Sequence, residues 1–130
     1  MLFRSRDFPL PIHTYSKTAA RWANAAAQLG RFAKAEQTLY ARQETWGASG
    51  NIEAALAGVL TPAELKRARQ LVESGQLDAA IDNDIALGNS KRVSQTPSLF
   101  VTHRGETTPL PPGGVTYPLL KQYLDYLLKQ

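Results

Sequence analysis

The sequence predicts a mixed α/β chain in which a long helical block is framed by extended segments. Three observations carry this expectation. From about Thr14 to Gly88 apolar residues recur at three- and four-residue spacing, the period of a helix. Ser98-Leu99-Phe100-Val101-Thr102 is a β-rich run followed by a glycine-containing turn. Leu2 to Arg6 reads as extended, and Pro9 and Pro11 push the residues before them towards extended conformations.

The elements follow in order. A first strand over 2–6 runs into a proline-braced turn. The first helix, about Thr14 to Leu29, presents Ala19, Trp22, Ala23, Ala26 and Ala27 at helical spacing, and Gly30 supplies a stop. A second helix places Phe32, Ala35, Leu39, Gln43 and Trp46 on one side and ends at Gly47, with Gly50 beyond it. Asn51 caps a short helical turn that turns Ile52, Ala55 and Leu56 inward. Thr61-Pro62-Ala63-Glu64 is the clearest local signal in the chain. Thr61 caps, Pro62 takes the first helical position, where a missing N–H costs nothing, and Glu64 closes a capping box. That helix runs to Glu73 and stops at Gly75. Another starts near Gln76, carries Leu77, Ile81 and Ile85, and ends at Gly88. After the strand over 98–102, His103 to Glu106 forms a turn and Thr107 to Leu110 returns as a second strand. Pro111-Pro112-Gly113-Gly114 makes a corner. Thr116 then caps a last helix whose Leu120, Tyr123, Leu124, Leu127 and Leu128 form a wide apolar face.

Composition narrows the function. At 130 residues the chain fits one small domain, and its thirty Leu, Ile, Val and Phe residues are too many for a disordered one. It contains no cysteine, which excludes a disulfide framework, a thiolate nucleophile, thiolate-ligated zinc and an iron–sulfur cluster within it. The only histidines, His13 and His103, are far apart, which argues against a metal site built on them. Met1-Leu2-Phe3 gives way to charge at Arg4, so these residues offer no apolar run for a signal peptide, and no stretch approaches the ~20 apolar residues of a membrane span. The expectation is a soluble chain that stays where it is made.

The net charge of +4 invites a nucleic-acid reading, but its distribution weakens it. Residues 1–48 carry +4, residues 49–92 carry −1 and residues 93–130 carry +1. Lys66, Arg67 and Arg69 share their helix with Glu64 and Glu73, unlike the one-signed, aromatic-interleaved stripe that tracks phosphates. A solvated helix face explains them better.

No nucleophile–base signature, phosphate loop, H-E-x-x-H or EF-hand loop is present. Asp78 and Asp82 share a helix face while Asp84 points elsewhere, and hard cations want a loop of oxygens, so these read as solvent-facing acids. His13 reads as a polar residue at a helix start and His103 as part of a turn. Trp22 and Trp46 lie among Ala and Leu at helical spacing and read as core.

One segment needs a reason of its own. In Val93-Ser94-Gln95-Thr96-Pro97-Ser98 a Thr-Pro bond opens directly onto a strand, where proline is normally excluded for want of a ladder N–H. A cis bond would turn the backbone N–H and C=O of Thr96 outwards, free to pair with an extended segment. A trans bond is the other reading, and most X–Pro bonds in folded proteins are trans.

The order of these features resembles the DsbA-like thioredoxin-fold disulfide oxidoreductases, over essentially the whole chain. Arg6-Asp7-Phe8-Pro9-Leu10 looks like the strand end that follows that family's active-site helix. The Ala-rich helix to Gly30, Arg31-Phe32, and Gln43-Glu44-Thr45-Trp46 look like the start of its helical insertion. Gln95-Thr96-Pro97-Ser98-Leu99-Phe100-Val101 is similar to its cis-proline loop and following strand, and Pro112-Gly113-Gly114 through Leu128 to its terminal helix. The resemblance turns the expectation at Thr96-Pro97 to cis.

The resemblance implies an α/β, partial thioredoxin-like fold with a large helical insertion. Residues 1–130 form one incomplete domain, 12–90 the insertion, and 93–130 the C-terminal hairpin and helix. In that family a strand and a helix opening with Cys-x-x-Cys precede the Arg6–Leu10 segment, whereas this chain begins inside the strand that follows them. The expected fold therefore lacks the N-terminal active-site β-α unit, and the chain is expected to be redox-inactive, with no catalytic residue, metal or cofactor. What carries over is the cis-proline loop, Gln95, Thr96 and Pro97, in the role of holding an extended polypeptide substrate. The missing strand would lie between 2–6 and 98–102, leaving two apolar edges facing a gap and one side of the sheet without a covering helix. Self-association through those edges, a borrowed strand, or direct pairing of the two strands is expected. The family also implies an exported, periplasmic parent. Two further readings stand beside this one: a non-redox, chaperone-like peptide-binding module using the same loop, and an unrelated helical protein that binds an anionic partner through its basic N-terminal third.

Overall fold

The computed structural model describes residues 1–130, which divide into two compact units, Met1–Arg92 and Val93–Gln130. The first unit is helical: α1 (Ser16–Gln28), α2 (Phe32–Ala41), α3 (Gln43–Ser49), α4 (Ile52–Leu56), α5 (Pro62–Glu73) and α6 (Asp78–Ser90). The second holds a hairpin of β1 (Phe100–His103) and β2 (Glu106–Pro109) and then α7 (Tyr117–Leu128). No helix is long and apolar enough to cross a membrane.

Helix α1 is the hub of the first unit, packing on α2, α5, α4 and α6. Its buried face is Ala19, Trp22, Ala25 and Ala26, and these small side chains bring neighbouring backbones close while Trp22 supplies bulk. Leu39, Trp46, Ile52, Leu56, Leu60, Leu71 and Leu77 complete the core, with Ile81 also fully buried. No polar residue is buried, and the one polar atom of Trp46 is satisfied because its Nε1–H donates to the Leu39 carbonyl at 2.7 Å. Both tryptophans are core residues, as their spacing indicates.

The local signals hold. The Asn51 side chain accepts from the Ala54 N–H, and Thr61 and Glu64 form the reciprocal capping box. Three boundaries move. The expected second helix is two, broken at Arg42, whose φ of −111° and ψ of 18° leave the helical region. Gly47 does not stop α3, which ends at Gly50 in the left-handed conformation. Gly88 does not stop α6 either. It is a packing residue, since a Cβ there would overlap the Phe8 ring, and the helix runs on to Ser90 before Arg92 turns to a φ of 58°.

The expected strand over 2–6 does not form: residues 1–10 carry no regular secondary structure. A strand needs a ladder partner, and the sheet contains only β1 and β2. The N-terminal segment is tied down by side chains instead. The Asp7 N–H donates to Asp84 Oδ2 at 3.0 Å, Arg6 pairs with Asp84 at 3.1 Å, and Asn24 Nδ2 donates to Asp7 Oδ2 at 2.7 Å. The expected gap between two strand edges, and direct pairing of those strands, are therefore corrected. One edge is not a strand at all.

In the second unit both strands reach closer to the turn than the sequence suggests, β1 starting later and β2 starting earlier, with pairs from Phe100↔Pro109 to His103↔Glu106 and a further bond from the Leu110 N–H to the Leu99 carbonyl. Arg104 and Gly105, at φ 50° and 83°, make the two-residue turn whose twist suits a hairpin. Thr116 is extended ahead of α7 but makes no side-chain cap bond, contrary to expectation. Leu120, Tyr123, Leu124 and Leu127 are half-buried, whereas Leu128 is 72% exposed and lies off that face.

Candidate peptide-docking loop

The loop between α6 and β1 carries Gln95, Thr96 and Pro97, and all three are exposed. Helix α6 closes with the Ser90 hydroxyl donating to the Leu87 carbonyl and the Arg92 N–H to the Asn89 carbonyl, which fixes where the loop departs. At its other end the Ser98 hydroxyl donates to the Gln95 carbonyl at 2.7 Å, drawing the loop into a tight bend. The Thr96–Pro97 peptide bond within that bend is cis. No group of the chain engages the Thr96 N–H or C=O. Thr96 itself is exposed, four positions ahead of β1.

The chemistry of such a loop is limited. Gln95, Thr96, Pro97 and Ser98 include no acid, base or thiol, so it can offer hydrogen bonds and an apolar ring but no proton transfer and no nucleophile activated by a neighbour. His103 stands at the turn end of β1, and His13 lies in the turns that open α1, its carbonyl accepting from the Ser16 N–H and hydroxyl. No group of three or more His, Asp and Glu side chains gathers anywhere.

The three acids of α6 have a structural task. Asp78 receives two bonds from Arg21, at 2.6 and 2.9 Å; Asp82 pairs with Lys17 at 2.7 Å; Asp84 pairs with Arg6. They form an ion-paired seam along α1 and the N-terminal segment. The hydrogen bonds from Arg21 hold the Asp78 carboxyl below its ordinary range. Asp7 is shifted the other way: burial raises it, the Asn24 bond partly opposes this, and the nearby Asp84 charge adds to the rise. Sequence spacing gave no sign of the Asp7–Asn24–Asp84 set, because its members are brought together only by folding. The basic cluster on α5 is also partly occupied, since Arg69 pairs with Glu53 of α4.

The family model described as thioredoxin matches residues 1–116, from the N-terminal segment through the helical unit, the loop and the hairpin. This chain belongs to the thioredoxin family. No curated protein and no solved structure matches it significantly. For this thioredoxin-family chain the fold is mixed α/β but mostly helical, with seven helices and a two-stranded sheet. Its sequence contains none of the cysteines on which thiol–disulfide exchange depends.

Proposed function

We propose that this chain is the client-facing portion of a DsbA-like thiol:disulfide oxidoreductase, serving protein disulfide exchange without performing the exchange itself. Membership of the thioredoxin family together with a cysteine count of zero carries the reading. Exchange needs a thiolate that attacks one sulfur of a disulfide, forms a mixed disulfide and expels the other sulfur. These 130 residues have no sulfur able to do so, Met1 being a thioether. What they offer is a place to hold the substrate.

An extended polypeptide laid beside Thr96 can donate to its C=O and accept from its N–H, as strand-addition recognition does, while Gln95 adds side-chain bonds and Pro97 an apolar contact. Backbone pairing is indifferent to side-chain identity, which suits a site that meets many clients. The same features support a second reading favoured by the absence of cysteine: a non-redox, chaperone-like module that binds extended peptides through this loop.

Insulin reduction by dithiothreitol tests the redox part, with the chain expected to leave the rate at the blank value; acceleration above the blank contradicts the reading. Titration of a cysteine-free extended peptide, followed by chemical-shift changes at Thr96 and Ser98, tests the docking part, and the absence of any change refutes both readings of the loop. The reading frame ahead of Met1 separates them: an in-frame Cys-x-x-Cys about one strand and one helix upstream selects the oxidoreductase, and its absence selects the non-redox module.

A further inference from the structure

The N-terminal segment meets the helical unit at a joint with a carboxylate on either side, Asp7 on the segment and Asp84 on α6. The Asp7 N–H is the only hydrogen-bonded backbone group among residues 1–9, and its acceptor is Asp84 Oδ2 at 3.0 Å. Arg6 pairs with Asp84 at 3.1 Å and not with Asp7. From α1 the neutral Asn24 amide donates to Asp7 Oδ2 at 2.7 Å, while the cations of that helix, Lys17 and Arg21, are drawn to Asp82 and Asp78. No cation pairs with Asp7, and its Oδ1 has no hydrogen-bond partner. Asp7 and Asp84 are both half-buried, so their charges repel across a partly desolvated contact. Beside them the Phe8 ring lies so close to Gly88 that a Cβ there would overlap it.

We propose that this joint is a proton-tightened clasp: uptake of one proton by Asp7 holds residues 7 and 8 firmly against α1 and α6, and its release loosens them. The Asn24 bond survives the change, because a carboxyl protonated at Oδ1 still accepts at Oδ2. What the proton removes is one of two adjoining negative charges. Burial raises the Asp7 carboxyl, the Asn24 bond partly opposes this, and the Asp84 charge adds to the rise. The clasp therefore tightens as pH falls from that raised value towards the ordinary 3.8. Asp78 responds in the opposite sense, because protonation weakens its bonds to Arg21, so tightening in acid is confined to the Asp7 joint. Every group of the clasp lies between Arg6 and Gly88, and it acts alike whether residues 1–5 are free or laid into a sheet. The clasp stands on this joint alone and is independent of the disulfide-exchange reading.

Hydrogen exchange at the Asp7 amide, divided into the rate of an unstructured chain at the same pH, tests the clasp. Its protection is expected to rise about twofold or more between about pH 7 and pH 4.5, with strong protection at Ala26 showing that the helical unit stays folded. Asp7→Asn keeps the acceptor for Asn24 without the charge, and is expected to hold the acid level of protection at every pH. Gly88→Ala puts a methyl group where the Phe8 ring lies while favouring helix α6, and is expected to lower protection across the whole range. Wild-type protection that stays flat or falls towards acid overturns the proposal, as does an Asp7→Asn profile that still rises there. A Gly88→Ala chain with wild-type protection at Asp7 overturns it too.

Discussion

The two units of this chain solve the same problem with unequal success. From Met1 to Arg92, six helices satisfy their own backbones and bury a continuous core of Ala, Leu, Ile and Trp with no unpartnered polar side-chain atom. From Val93 to Gln130, one hairpin and one helix bury no residue fully and leave large apolar side chains exposed, Phe100 at 36%, Tyr126 at 58% and Leu128 at 72%. A helix needs a neighbour only for its apolar stripe. A strand needs one for its backbone as well, so a sheet of two strands is short of partners in a way a bundle of helices is not.

Core truncation sharpens the contrast most. Leu71→Ala removes a side chain only 2% exposed and is expected to cost about 2–5 kcal/mol in urea unfolding, whereas Leu124→Ala on α7 is expected to cost less than about 1 kcal/mol. Equal losses would erase the distinction between the units. Trp46→Phe comes next: it keeps most of the ring but leaves the Leu39 carbonyl without its donor, for an expected loss of about 1–3 kcal/mol by the same measurement. Thr61→Ala opens the capping box and is expected to lower stability by about 1 kcal/mol.

The smallest effects are in pH dependence, and they have opposite signs. Asp78, with its folded pKa held down by Arg21, contributes stability that is present above its unfolded value of 3.8 and lost as pH falls through the folded one. Asp7, raised chiefly by burial, binds its proton more readily when folded, so its contribution increases as pH falls from the folded value towards 3.8. Asp78→Asn is therefore expected to flatten the acid limb of a melting-temperature profile between neutral pH and about pH 3, and Asp7→Asn to steepen it. Profiles shifted in the same direction would contradict the assignment. Replacing Asp82, whose pair with Lys17 is solvent-exposed, is expected to change stability by less than about 1 kcal/mol and only at low salt.

What could be read in the sequence divides along the same line. The Asn51 cap, the Thr61–Glu64 box and the Gly105 turn depend on residues within a few positions of one another, and they stand where the sequence puts them. On α1 Ala19, Trp22 and Ala26 are buried as their spacing indicates, whereas Ala27 is exposed and Ala25 is buried in its place. The strand expected over 2–6 does not form because Leu2-Phe3-Arg4 has strand-like residues but no strand of this chain pairs with it. Gly88 looked like a stop because its real reason, the Phe8 ring, lies eighty residues away. The exposure of Gln95, Thr96 and Pro97 follows from a proline that cannot enter a ladder, but which molecule meets that loop is a property of its partners and not of its residues alone.

Amide hydrogen exchange on dilute wild-type chain tests the unequal completeness of the two units most directly. The account predicts slow exchange at Ala26, Leu56 and Leu71, at the rate set by global unfolding, and near-unprotected exchange at Phe100 and Thr102. Uniform protection from α1 through β1 would contradict it.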